Sequence, residues 1–196
     1  IMRYVIIGNS AAGVNAGEEI RRKDKESEII IISDEKDIAY SRCLISRFLD
    51  GRLDENQLYF KTKNFYKGFD IKPILGKRVT AIDSSGQSVN LDGGERFSYD
   101  KLLLAIGSTP ARPKICGLDL EGVFNFYSLE DARKINNYVK NAKKAVIAGA
   151  GFAGLEAAYA LRKLGIDVTV VERCSQILPN QFDYISSELI REDLEG

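Results

Sequence analysis

The sequence predicts an α/β fold made of two βαβ units, the second truncated, with a small antiparallel β-meander between them. Three observations carry this. A pattern of apolar strand, glycine turn, helix, apolar strand and terminal acid occurs twice. The strands in it are short and β-branched, as in parallel strands covered on both faces. The stretch between the copies alternates apolar and polar residues instead.

The first copy begins with Arg3-Tyr-Val-Ile-Ile-Gly8-Asn-Ser-Ala-Ala-Gly13, continues as a polar helix, and ends with Glu28-Ile-Ile-Ile-Ile-Ser-Asp34. Residues Leu44 to Lys67 read as polar and helix-like, with Tyr59, Phe60, Phe65 and Tyr66 among them. From Ile74 to Tyr99 the alternation, punctuated by Ser84-Ser85-Gly86 and Asp92-Gly93-Gly94, predicts the meander. A strand over Lys101–Ile106 follows and ends in Gly107-Ser-Thr-Pro110. Proline and glycine cluster over Arg112–Gly117, which places the domain boundary there, as 1–113 and 114–196. Ser128-Leu-Glu-Asp131 has the form of a capped helix start, the helix running to Asn141. The second copy reads Lys144-Ala-Val-Ile-Ala-Gly149-Ala-Gly-Phe-Ala-Gly154, a helix to Leu164, and Val168-Thr-Val-Val-Glu172. Phe182–Leu194 reads as one more helix. Between parallel strands a right-handed helical crossover is expected. The glycine-to-acid spans, 26 and 23 residues, are close enough to mark one unit used twice.

Composition narrows the chemistry. The 28 Lys and Arg balance 28 Asp and Glu, so the electrostatic footprint of nucleic-acid binding is missing. The aliphatic runs are strand-sized, which argues against a membrane span, and the first one enters a glycine turn directly, unlike a signal peptide. Three dispersed Cys form neither a disulfide framework nor a metal motif, so no metal and a cytoplasmic location are expected. With no His, catalysis by Ser-His or Cys-His pairs is excluded within these 196 residues.

The glycine turns point to phosphate. A diphosphate is well met by a helix N-terminus, where unpaired N–H groups and the helix dipole both favour negative charge. In the second copy Gly149 permits the tight turn, Gly151 lets phosphate approach the backbone, and Gly154 lets helix and strand pack closely. Glu172 can accept from a ribose 2′-hydroxyl and repels a 2′-phosphate, which favours NAD over NADP; the adjacent Arg173 softens that preference. In the first copy Ser10 replaces the middle glycine, and Asp34 is the candidate ribose contact, with Glu35 the near alternative. Both units are therefore Rossmann-like dinucleotide-binding units. Two such sites in tandem imply a relay in which one cofactor reduces the other.

At these residues the chain resembles the FAD-dependent pyridine nucleotide-disulfide oxidoreductases. Gly8-Asn-Ser-Ala-Ala-Gly13 is similar to the family's FAD loop, Ala105-Ile-Gly-Ser-Thr-Pro110 to its strand-end motif, and Gly149-Ala-Gly-Phe-Ala-Gly-Leu-Glu156 to its NAD loop. Tyr40-Ser-Arg42-Cys-Leu-Ile-Ser46-Arg47 is similar to a segment near the flavin in rubredoxin, ferredoxin and nitrite reductase members. The resemblance implies FAD held by Gly8, Ser10, Ala11, Ala12, Gly13, Arg42, Val79 and Gly107. It implies NADH held by Gly149, Gly151, Phe152, Ala153, Gly154 and Glu172. Arg42 would neutralise the diphosphate, and the Val79 backbone would meet the adenine. Phe152 would cover the flavin until nicotinamide displaces it, with packing into the core as the plainer alternative. Glu156 would lie by the nicotinamide–flavin contact, and Arg47 near the isoalloxazine unless it is only a solvated charge. Family members run to about twice this length, so the resemblance implies a fragment lacking the returning FAD segment and a dimerisation domain.

The family's Cys-x4-Cys pair is missing. Cys43 is spaced like the single redox Cys of NADH peroxidases and CoA-disulfide reductases; the alternative is a small packed residue. Peroxidase relatives carry His where this chain has Ala11, which counts against peroxide reduction. Cys116 and Cys174 read as structural. The expected activity is hydride transfer from NADH to FAD, then electrons to a small redox protein or fused acceptor domain. The alternatives are reduction of a small disulfide through Cys43, or a non-catalytic NAD(H)-binding module.

Overall fold

The computed structural model describes residues 1–195 and divides into two compact units, Ile1–Ser41 with Asn56–Ser108, and Arg42–Glu55 with the chain from Thr109 onward. The division differs from a single cut after residue 113. The segment Arg42–Glu55 packs with the second unit, where Leu49 shares a core with Ile135, Ala160, Leu161 and Ile166.

The first unit is built on a four-stranded parallel sheet of order β3-β2-β1-β7, comprising β1 (Arg3–Ile7), β2 (Glu28–Ser33), β3 (Ile71–Leu75) and β7 (Lys101–Leu104). Helix α1 (Ala11–Lys23) makes the crossover from β1 to β2. An antiparallel sheet of β4 (Val79–Asp83), β5 (Ser88–Leu91) and β6 (Arg96–Ser98) forms the meander. The isoleucine run of β2 is explained by burial on both faces. Ile29 and Ile31 pack with Val14, Phe65 and Tyr66 on one side, while Ile30 and Ile32 meet Val89 and Leu91 of the meander on the other.

Two sequence readings shift here. Ile74 and Leu75 belong to parallel β3 rather than the meander, and Pro73 is tolerated there because β3 is an edge strand. The stretch from Leu44 to Lys67 forms only two five-residue helices, α2 (Ile45–Leu49) and α3 (Asn64–Gly68), with short 3-10 turns beside them.

The second unit pairs β8 (Lys144–Ala148) with β9 (Asp167–Val171) in parallel across α5 (Phe152–Lys163), and includes α4 (Leu129–Tyr138) and α6 (Tyr184–Glu195). The predicted cap of α4 is a complete capping box. The Asp131 N–H donates to Ser128 Oγ at 3.1 Å, and the Ser128 N–H donates to Asp131 Oδ2 at 2.9 Å. In this unit Ala145, Ile147 and Val168 pack inward, while Val146 is 70% and Val171 54% exposed.

Candidate functional site

The two glycine turns share one geometry. The Gly8 N–H donates to Ile32 O, and the Gly149 N–H to Val171 O, both at 2.8 Å. Both glycines have strongly positive φ, 121° and 108°, a region closed to residues with a β-carbon. The third glycines are close-packing positions. A β-carbon on Gly13 would stand 3.0 Å from the Gly8 carbonyl carbon, and one on Gly154 3.1 Å from that of Gly149. The middle positions, Ser10 and Gly151, are the extended N-caps of α1 and α5, and neither helix start is capped by a side chain. Ala11, Ala12, Phe152 and Ala153 lie exposed in the first turns, and a β-carbon on Gly151 would meet nothing within 4 Å. Each turn thus presents backbone N–H groups to an open space, the arrangement that suits a phosphate anion.

The acids behave differently in the two units. Glu172 Oε2 accepts from the Ala150 N–H at 2.8 Å, and Oε1 accepts from the Cys174 N–H at 2.9 Å. These backbone donors, Ala150 first, hold its carboxyl below the usual range, so it stays ionised. In the first unit, the strand pairing and the glycine hydrogen bonds put Ser33, not Asp34, in register with Glu172. Ser33 Oγ accepts from the Glu35 N–H at 3.2 Å, matching the Glu172–Cys174 bond. Asp34 instead pairs with Arg78 at 2.9 Å, and Glu35 accepts from the Tyr40 hydroxyl at 2.6 Å. Ser33 was legible by counting along β2 from the glycine; its lack of charge hid it. Nothing in the sequence signals the brace on Asn9, whose Oδ1 accepts from the Tyr66 hydroxyl at 2.8 Å and whose Nδ2 donates to Asp37 O at 3.2 Å.

Gly8 and Gly13 share the first unit with Val79 and Gly107, and the Gly8 turn closes against the Ala105–Ile106 strand end that leads to Gly107. Val79 opens β4, half-buried against Val89 and Leu91. Arg42, Cys43 and Arg47 belong to the second unit. The Arg42 Nη1 donates to Tyr127 O at 3.1 Å, and its guanidinium lies 4.5 Å over the Tyr127 ring. Cys43 is exposed in the 3-10 turn Arg42–Leu44, and Arg47 is exposed on α2. Phe152 is 56% exposed at the start of α5, edge-on to Phe182 with 6.3 Å between centroids. Glu156 is exposed one turn further along, where its charge adds to the stronger hold of Asp50 on Arg52. Cys116 and Cys174 are both exposed. Among the described residues no cluster of three His, Cys, Asp or Glu could hold a metal ion, and no helix is long and apolar enough to cross a membrane.

The profile of the family described as pyridine nucleotide-disulphide oxidoreductase matches residues 2–196. The chain belongs to that family. It is 39% identical to an NADH oxidase of Methanocaldococcus jannaschii over 99% of this chain and 45% of the relative. It is 35% identical to an assimilatory nitrate reductase electron transfer subunit of Bacillus subtilis over 98% of this chain and 25% of the relative. Among solved structures, a NAD-dependent persulfide reductase from A. fulgidus superposes with a TM-score of 0.93 at 34% identity, covering 99% of this chain and 38% of that one. The chain therefore spans less than half the length of these proteins.

Proposed function

We propose that this chain carries the FAD and NADH cradles of a flavoprotein oxidoreductase that takes hydride from NADH and passes electrons to a protein or domain acceptor. The observation that carries the reading is the matched pair of uncapped helix starts, each approached through a glycine of positive φ tied to the neighbouring strand. The fit to a dinucleotide is tested by the space itself: the Gly151 turn is open within 4 Å, as close approach of a diphosphate requires.

When bound, FAD and nicotinamide supply the hydride chemistry, and the residues of the chain bind and orient them. The N–H groups of Ala11, Ala12 and Gly13 would hold the FAD diphosphate, with Ser10 Oγ as a further donor, and Ser33, in register with Glu172, would lie nearest the adenosine ribose. The N–H groups of Phe152, Ala153 and Gly154 would hold the NADH diphosphate. Glu172, ionised, retains lone pairs for a ribose 2′-hydroxyl and repels a 2′-phosphate, so NADH is preferred over NADPH. Phe152, exposed and edge-on to Phe182, would swing aside for nicotinamide.

A second reading has one observation in its favour. Cys43 is exposed beside Arg42, the accessibility a thiol needs to attack a small disulfide. Anaerobic titration of the FAD-loaded protein with NADH separates the readings. After incubation with a small disulfide and removal of the excess, uptake of two electrons per FAD supports the protein-acceptor reading; uptake of four, the second pair splitting a Cys43 mixed disulfide into two thiols and lost in Cys43→Ser, supports the thiol. A protein that retains no FAD and quenches no NADH fluorescence would sink both.

A further inference from the structure

Glu172 is engaged before any ligand arrives. Its Oε2 accepts from the Ala150 N–H, inside the glycine turn and 22 residues earlier in the chain. Ala150 is fully buried, and its carbonyl is taken by the Leu178 N–H at 2.9 Å. A buried amide needs a partner, and here a side chain provides it. The first unit is an internal control. Asn9 stands at the place of Ala150, and the hydroxyl of Ser33, the counterpart of Glu172, accepts from the Glu35 N–H. That turn is braced instead through the Asn9 side chain, by the Tyr66 hydroxyl and the Asp37 carbonyl. One loop geometry is thus held by two unrelated devices, which argues that the turn requires holding.

We infer that Glu172 is a positioning residue that braces the second glycine turn in its phosphate-ready shape, apart from any contact with ribose. The inference rests on reading this turn as a nucleotide site. The effect runs through the backbone: without the carboxylate, the Ala150 N–H is stranded, the turn opens to pair it with water, and binding must first close the turn again.

The test is a cycle of two proteins and two ligands. Wild type and Glu172→Ala are titrated with ADP and with 2′,3′-dideoxy-ADP, read from the amide shifts of Gly151 and Phe152, which report the second turn alone. The dideoxy nucleotide has no ribose hydroxyl for Glu172 to bind. The brace predicts that Glu172→Ala still weakens it, on the order of ten-fold. Equal affinity of both proteins for dideoxy-ADP, with the loss confined to ADP, would overturn the inference and leave a ribose ligand only. In the ligand-free protein, Ala150 amide exchange should accelerate at least several-fold in Glu172→Ala and be largely restored in Glu172→Gln, whose amide oxygen still accepts. Unchanged Ala150 exchange in Glu172→Ala also overturns the brace. If wild type binds neither nucleotide, the nucleotide reading fails, while Ala150 exchange still decides whether the brace exists.

Discussion

Replacing Gly8 or Gly149 by alanine makes the same change at the same place in two copies of one motif, yet the structure predicts different losses. Both positions have a φ that only glycine adopts easily, which costs a β-carbon roughly 1–3 kcal/mol. At Gly149 nothing lies within 4 Å of the new carbon, so strain is the whole effect. At Gly8 the carbon would stand 2.6 Å from the Ala105 carbonyl carbon, closer still to its oxygen, and 3.3 Å from the Ile106 nitrogen. Carbon contacts are favourable at about 3.5–4.0 Å, so β7 must retreat by about 1 Å, and overpacking of that kind costs about 1–3 kcal/mol more. That retreat lengthens the bond in which the Ala105 N–H donates to Ile7 O, now 2.8 Å. Gly8→Ala should therefore destabilise its unit by roughly 2–6 kcal/mol, against roughly 1–3 for Gly149→Ala. Two units need not unfold together, so the assay is native-state hydrogen exchange read separately in each. Protection should fall over β1 and β7 in the first variant and over β8 and β9, less steeply, in the second. An equal fall in both, or a larger one for Gly149→Ala, would refute the role given to Ala105.

Three further outcomes are expected. Arg21 is buried and its guanidinium donates to the carbonyls of Phe69, Asp24, Ser27 and Asp70, at 2.9, 3.2, 2.7 and 2.9 Å. Arg21→Met should cost about 2–3 kcal/mol and lower the melting temperature by roughly 5–10 °C in a thermal scan. Tyr66 is kept neutral by burial, which raises its pKa, and it donates to Asn9. Tyr66→Phe should cost about 1 kcal/mol by urea titration and weaken FAD retention while leaving the affinity for NADH unchanged. Because the Glu172 pKa is lowered from 4.5 in the folded state, its contribution to stability is complete at neutral pH and fades as pH falls below about 4.5 through the folded value. The acid limb of the urea midpoint should be shallower in Glu172→Gln than in wild type.

What was legible in the sequence is what local pattern encodes. The four isoleucines of β2 announce a strand buried on both faces, and Ser128 with Asp131 announces a helix start; both follow from contacts a few residues apart or from strand period. The edge strand Ile71–Leu75 escaped because it is short, contains Pro73 and is identified by what it pairs with, β2, some forty residues earlier. The segment Arg42–Glu55 escaped for a related reason. Its place in the second unit depends on Leu49 meeting Ile135 and Leu161, a contact that no local periodicity records.

At the site, the limit of sequence reading falls on the acids. Charge made Asp34 and Glu35 conspicuous, and in the structure each has a side-chain partner, Asp34 in Arg78 and Glu35 in Tyr40. The position that the fold places opposite the turn is fixed by register: Ile32 and Val171 each accept from the first glycine, and the next residue is Ser33 in one unit and Glu172 in the other. A motif written as glycines plus a terminal acid is therefore two separable requirements, a turn shape and something to hold it. Glycine spacing meets the first in both copies. The second is met by a carboxylate in one copy and by Asn9 with Tyr66 in the other, so a search for the acid alone finds the brace only where it is charged.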